Sequence, residues 1–167
     1  MSKIPCKKKK DRTLSLKEGL SSKSLKDETS QSWILVQPGL FEYPVADSKV
    51  PALLANQCTK CGKSFFPKRT LCPYCFDKGI MEDITLDRRG IIYACTVVHI
   101  PSPVGLKAPY AYGYVEIPTN QIRIFALFTG ADPFSFTPGQ EVELVVEPIR
   151  IDNQGKQIIG YKFKPVS

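Results

Sequence analysis

Four cysteines stand as Cys58-x2-Cys61-x10-Cys72-x2-Cys75, and cysteines at that spacing make a metal site. In each pair a tight turn brings two sulfurs to one side. Two such knuckles facing one another supply the four tetrahedral thiolates that Zn2+ prefers. Gly62 follows the second cysteine, where a knuckle turn calls for positive φ, and Pro73 stiffens the second pair. The ten-residue spacer is long enough for a short hairpin. An all-thiolate shell has no open coordination position, so one structural Zn2+ that folds a small module is expected, not a catalytic ion. Rubredoxin-type iron uses similar knuckles, and spacing alone does not separate the two metals. Phe65, Phe66, Tyr74 and Phe76 crowd the same segment. A ribbon this small cannot bury so many rings, so some are expected to pack on another domain or on a partner.

Acyl transfer would need a nucleophile, a base within hydrogen-bond reach and an oxyanion hole. His99 is the only histidine, and Cys95 lies four residues before it in a strand-like run. Positions i and i+4 of a strand share a face but lie about 13 Å apart. They read as a packed cysteine and a histidine satisfied at a strand end, and no catalytic residue is assigned. Gly62-Lys63-Ser64 lacks the upstream glycine and the strand-to-helix context of a phosphate-binding loop, so it is set aside.

The elements that must hold the cysteines are strands. The 167 residues suffice for one ordinary domain or two small ones. A tail over residues 1–32 holds nine Lys/Arg against four Asp/Glu, including the block Lys7 to Lys10. It reads as a solvated, flexible arm, or as a docking arm if Leu14, Leu16, Leu20 and Leu25 form an apolar face. Residues 33–54 read as an extended lead-in, 55–80 as the ribbon and 81–167 as a β domain. Five strands are expected in the last: Gly90 to Ile100, Tyr110 to Ile117, Gln121 to Thr129, Glu141 to Pro148 and Gln157 to Phe163. Pro101, Pro103 and Pro109 mark an exposed loop between the first two. No helical period intervenes, and a five-stranded Greek-key barrel of OB type closes such a set without free edges. The fold class is therefore mostly β, a zinc ribbon followed by an OB-fold barrel.

Charge and cysteine usage bound the function. The net charge of +7 falls mostly in the tail, leaving +2 over the remainder. A divalent ion on four thiolates brings that body near neutrality, which argues against nucleic acid as the partner. No apolar run reaches membrane-spanning length, and paired Cys-x2-Cys motifs imply a reducing compartment, so a cytoplasmic, disulfide-free protein is expected.

The order of a zinc ribbon followed directly by an OB-type barrel resembles the DUF35 family. The resemblance is carried by Cys58-Thr59-Lys60-Cys61-Gly62, Phe66-Pro67-Lys68-Arg69, Cys72-Pro73-Tyr74-Cys75 and Gly90-Ile91-Ile92-Tyr93. It continues through Thr96-Val97-Val98-His99, Ala108-Pro109-Tyr110, Val115-Glu116 and Pro138-Gly139-Gln140-Glu141-Val142. Residues 1–49 are less typical of it. The resemblance implies a non-catalytic subunit that works with a separate thiolase-like or hydratase-like polypeptide on acyl-CoA intermediates, and a hetero-oligomer with a thiolase-like protein that shares its acyl-CoA substrate is expected. The nucleophilic cysteine and acid/base histidines then reside on the partner, which suits a chain with a single histidine. A 3-oxoacyl-CoA with an aryl group, from aromatic-compound degradation, is one candidate substrate.

Contact with the CoA thioester calls for cations at its phosphates, and Lys68, Arg69, Arg88, Arg89 and Lys107 are the candidates. Each also reads as an ordinary solvated charge. The alternative function is single-strand nucleic-acid binding, with Tyr93, Tyr110, Tyr112, Tyr114, Phe125 and Phe128 as stacking platforms. The competing reading of those rings is that they fill the barrel.

Overall fold

The computed structural model describes residues 32–43, 50–76 and 80–166, so the tail expected over 1–32 lies outside them except for Ser32. Through the described residues run nine strands and no α-helix. They are β1 (Trp33–Leu35), β2 (Leu54–Cys58), β3 (Ser64–Phe65), β4 (Met81–Thr85), β5 (Arg89–Val98), β6 (Tyr110–Ile117), β7 (Ile122–Phe128), β8 (Glu141–Ile151) and β9 (Gln157–Pro165). The last five coincide with the strands expected from the β-branched and aromatic runs, with no end shifted by more than three residues. Pro148 does not stop β8, because a register shift between Pro148 and Arg150 absorbs it.

The barrel strands run in the order β9-β7-β6-β5-β8, and β8 pairs back onto β9, closing the cylinder. The β7–β9 contact is parallel and short, Leu127 opposite Lys162 and Phe128 opposite Phe163. Outside the closed set, β1 adds in parallel along β9, Trp33 opposite Gln157 through Leu35 opposite Ile159. Trp33–Leu35, at the start of the expected lead-in, is thus anchored on the barrel. A second, three-stranded sheet in the order β3-β2-β4 carries the ribbon. Met81–Thr85, expected to open the β domain at 81, instead pairs with Leu54–Cys58 and closes the ribbon's sheet. Its weak alternation did not distinguish those two places.

Alternation decides what the barrel holds. Along β6, Ala111, Val115 and Ile117 point inward and are buried, so Tyr110, Tyr112, Tyr114 and Glu116 take the outer positions. Ile124, Ala126, Val142, Leu144 and Phe163 complete the interior. Of the rings that might have filled the barrel, Phe128 does so and stacks on Phe136 at 5.0 Å. Tyr93, Tyr114 and Phe125 do not: they stand half-exposed on the outside.

A bulge on β5 contributes to that outcome. The β5–β6 register shifts between Ile92 and Ala94, so Tyr93 is an extra residue and both Tyr93 and Ala94 face solvent. Gly113 makes the bulge possible, because a Cβ there would sit 1.9 Å from the Ala94 carbonyl oxygen. Nearby, the β4–β5 turn is clasped to the 3-10 turn Pro118–Asn120. Asp87 accepts from the Arg89 N–H and the Thr119 hydroxyl, each at 3.1 Å, and its own N–H donates to Asn120 Oδ1 at 2.8 Å.

The two sheets share one core. Leu53, Ala55 and Leu86 beside the ribbon are buried in the same cluster as Ile159 and Phe163 of the barrel, with Phe66 and Tyr161 packed against it.

Candidate metal centre and the surfaces around it

The two knuckles have matching backbones. Gly62 N–H donates to the Cys58 carbonyl at 2.8 Å, and Phe76 N–H donates to the Cys72 carbonyl at 2.8 Å. The residue after each second cysteine is left-handed, Gly62 at φ 69° and Phe76 at φ 52°. The need at position 62 is legible in the sequence; position 76 has the same need but a side chain that disguises it. β2 delivers Cys58, and a Cys58 N–H bond to the Lys63 carbonyl at 3.0 Å fixes the first turn beneath it. Asn56, a buried polar residue on β2, donates to the Arg69 carbonyl at 2.6 Å and accepts from its N–H at 3.1 Å. That pair ties down the spacer before the second knuckle. A lone asparagine gives no sequence signal for such a role.

These turns bring the four sulfurs together. Sγ of Cys58, Cys61, Cys72 and Cys75 all lie within 4.8 Å of one another. Cys58 to Cys75 is 3.9 Å and Cys61 to Cys72 is 3.7 Å. Four sulfurs about 2.3 Å from a tetrahedral ion would stand roughly 3.8 Å apart, so the cluster fits Zn2+. Burial and the three neighbouring thiols push Cys75 up to about 12, as expected where sulfurs are crowded with no cation between them. Cys58 and Cys72 are buried and Cys61 is exposed, so an ion held by the four cysteines would sit at the rim of the module. With all four positions taken by cysteine, such an ion would hold the ribbon together and leave no coordination position for substrate.

The five cations expected near CoA do not converge. Lys68 pairs with Asp83 at 2.7 Å in a groove beside β4. Arg88 turns a guanidinium nitrogen toward the Leu144 carbonyl at 3.4 Å and keeps its Nε buried. Arg89 borders a separate depression with Asp87 and Glu141. Lys107 is exposed in the proline-rich loop. Arg69 alone lines the cleft between ribbon and barrel, a volume of about 450 Å³. It is joined there by Lys63 and Arg123, with Phe65 and Tyr74 as aromatic walls and no carboxylate in the lining. Sequence reasoning missed Lys63 and Arg123, because only the fold brings β7 against the spacer.

Cys95 and His99 engage different groups. The Cys95 thiol donates to the Phe136 carbonyl at 3.3 Å, whereas the His99 ring lies 5.5 Å from that of Phe134. They form no nucleophile–base pair. Among the described residues no helix is long and apolar enough to cross a membrane.

Comparison with known proteins follows these two modules. Residues 49–80 match the family model described as the ChsH2 rubredoxin-like zinc ribbon domain, and residues 83–147 match that of the ChsH2 C-terminal OB-fold domain. The chain is 39% identical over 141 residues to the benzoylsuccinyl-CoA thiolase subunit BbsA of Thauera aromatica, covering 84% of this chain and 94% of that one. The BbsA of Geobacter metallireducens is 34% identical over 151 residues, 90% of this chain and 99% of its own. A DUF35 domain-containing scaffold protein of Methanothermobacter thermautotrophicus is 34% identical over 115 residues, 68% of this chain and 86% of that one. Among solved structures, a chain of the Ltp2-ChsH2(DUF35) aldolase superposes with a TM-score of 0.56 at 23% identity, over 68% of this chain and 84% of the other, which speaks to the fold alone.

Proposed function

The chain belongs to the DUF35 family of paired zinc-ribbon and OB-fold proteins, and on that premise we propose that it is the accessory subunit of a thiolase-like enzyme. It docks on the catalytic polypeptide, forms a hetero-oligomer with it and supports thiolysis or condensation of a 3-oxoacyl-CoA, with an aryl-bearing acyl group as the substrate class. The observation that carries this reading is the match to a named thiolase subunit across 94% of its length, in a chain where Cys95 and His99 engage different groups and, among the described residues, form no catalytic pair. The zinc cluster supplies a rigid ribbon to the complex and no chemistry of its own.

CoA contact belongs to the same proposal. The phosphates of CoA call for several converging cations, and the ribbon–barrel cleft brings together Lys63, Arg69 and Arg123, the last of which also pairs with Glu116 at 3.5 Å. Of the cations expected from sequence, Arg69 is the one we assign to it; Lys68, Arg88, Arg89 and Lys107 would meet CoA only at its periphery.

Co-expression with a thiolase-type polypeptide, followed by native mass spectrometry, tests the reading. A stable hetero-oligomer carrying one zinc per copy of this chain is expected. Failure to associate, or salt-sensitive retention of a single-stranded oligonucleotide in place of the protein, would overturn it.

A further inference from the structure

The outside of a small closed barrel is ordinarily polar, yet one exterior face of this barrel is not. Pairing across β5, β6 and β7 sets Ala94, Tyr114 and Phe125 in one outward row and Ile91, Glu116 and Arg123 in the next. The bulge adds Tyr93 between them. Tyr93, Tyr114 and Phe125 are 51%, 49% and 50% exposed, an aromatic surface on which the Arg123 guanidinium rests over the Tyr93 ring.

We propose that this outer face of β5–β6–β7, centred on Tyr93, Tyr114 and Phe125 with Arg123 at its border, is where the partner polypeptide docks; this inference rests on the accessory-subunit reading above. The occupant is a folded protein surface with apolar side chains at its centre and carboxylates at its edge. Tyr, Phe and Arg packed together are the composition of interface hot spots. The charge at the border fixes the complement: Arg123 has one acid, Glu116 at 3.5 Å, while Lys63 and Arg69 stand on the adjoining ribbon wall.

Ring geometry favours a protein over a nucleic-acid strand. Stacking platforms need free ring faces. Here Tyr114 meets Phe125 edge-on, 5.6 Å between centroids at 71°, and Tyr112 also closes on Phe125 at 5.2 Å. The Tyr93 face is covered by the Arg123 guanidinium 3.5 Å from its centroid. Rings held this way form a stiff knob to be enclosed, not a series of shelves for bases.

The test uses the full chain and the purified thiolase-type polypeptide that co-expresses with it. Wild-type protein must bind first; if it does not, the accessory-subunit reading fails and the face is not at issue. Given binding, Tyr114→Ser with Phe125→Ser should weaken it by about 30-fold or more, and Arg123→Glu should weaken it with a reduced dependence on salt. Zinc content and circular dichroism report folding of the variants. Wild-type complexes should also show Tyr93 and Tyr114 protected from hydroxyl-radical oxidation, a readout independent of any mutation. Binding within twofold of wild type together with unprotected tyrosines would overturn the proposal. So would loss, in the double variant, of oligonucleotide binding or of self-association while binding to the polypeptide persisted.

Discussion

Phe66 of the ribbon lies edge-on to Tyr161 of the barrel, 5.5 Å between ring centroids at 83°. This contact answers where the ribbon's surplus rings go: Phe66 packs into the core that both sheets share, while Tyr74 and Phe76 stay exposed. The two modules therefore stabilise each other. Phe66→Ala should lower stability by roughly 1–3 kcal/mol, below a fully buried Phe because the ring is only partly enclosed. Urea unfolding followed by barrel-strand circular dichroism checks it. A midpoint unchanged from wild type would mean that the ribbon rides on the barrel without energetic coupling.

Metal retention tests the four-thiolate centre. Cys61→Ser, at the exposed corner of the cluster, should abolish stoichiometric zinc binding and unfold the ribbon while the closed barrel keeps its β signal. Elemental analysis of untagged protein gives the answer. One full zinc equivalent in this variant would refute coordination by all four cysteines.

The matched knuckles predict substitutions of opposite sign. Gly62→Ala places a side chain at φ 69° and should cost about 1 kcal/mol. Phe76→Gly relieves a side chain at φ 52° that is 79% exposed, and should be neutral or stabilising by up to about 1 kcal/mol. Thermal melting of the zinc-loaded proteins distinguishes them. Equal destabilisation by both changes would contradict the equivalence of the two turns.

How far this protein could be read in advance depended on local signals. The barrel strands were legible because β-branched and aromatic runs are bounded by Gly and Pro, and the metal ligands because two Cys-x2-Cys pairs fix their own geometry. The outward turn of Tyr114 was not, since alternation gives two faces without saying which is core; the small Ala111 and Gly113 on the other face were the clue. The cleft trio of Lys63, Arg69 and Arg123 was hidden for another reason. Its members are about sixty residues apart at the extremes and meet only through the shared core.

Acid should loosen the clasp at Asp87. The Arg89 backbone N–H, chiefly, and the Thr119 hydroxyl hold its carboxyl below the usual 3.8 in the face of some burial. A folded-state pKa below the unfolded one contributes stability that is present above about pH 4 and is lost as pH falls through the folded value. Asp87→Asn should therefore be less stable than wild type at neutral pH, with the difference shrinking toward pH 2. A difference independent of pH between 2 and 6 would exclude the carboxylate as its source.

The account turns on this chain assisting chemistry performed on another polypeptide. Thiolysis of an aryl 3-oxoacyl-CoA by free CoA, measured with this chain alone, the thiolase-type polypeptide alone and the two combined, tests that most directly. Turnover should be absent with the zinc-loaded chain alone and reach its full rate only in the mixture, saturating at the stoichiometry of the complex. Turnover by the purified chain alone, or a partner whose rate is indifferent to its addition, would contradict the account.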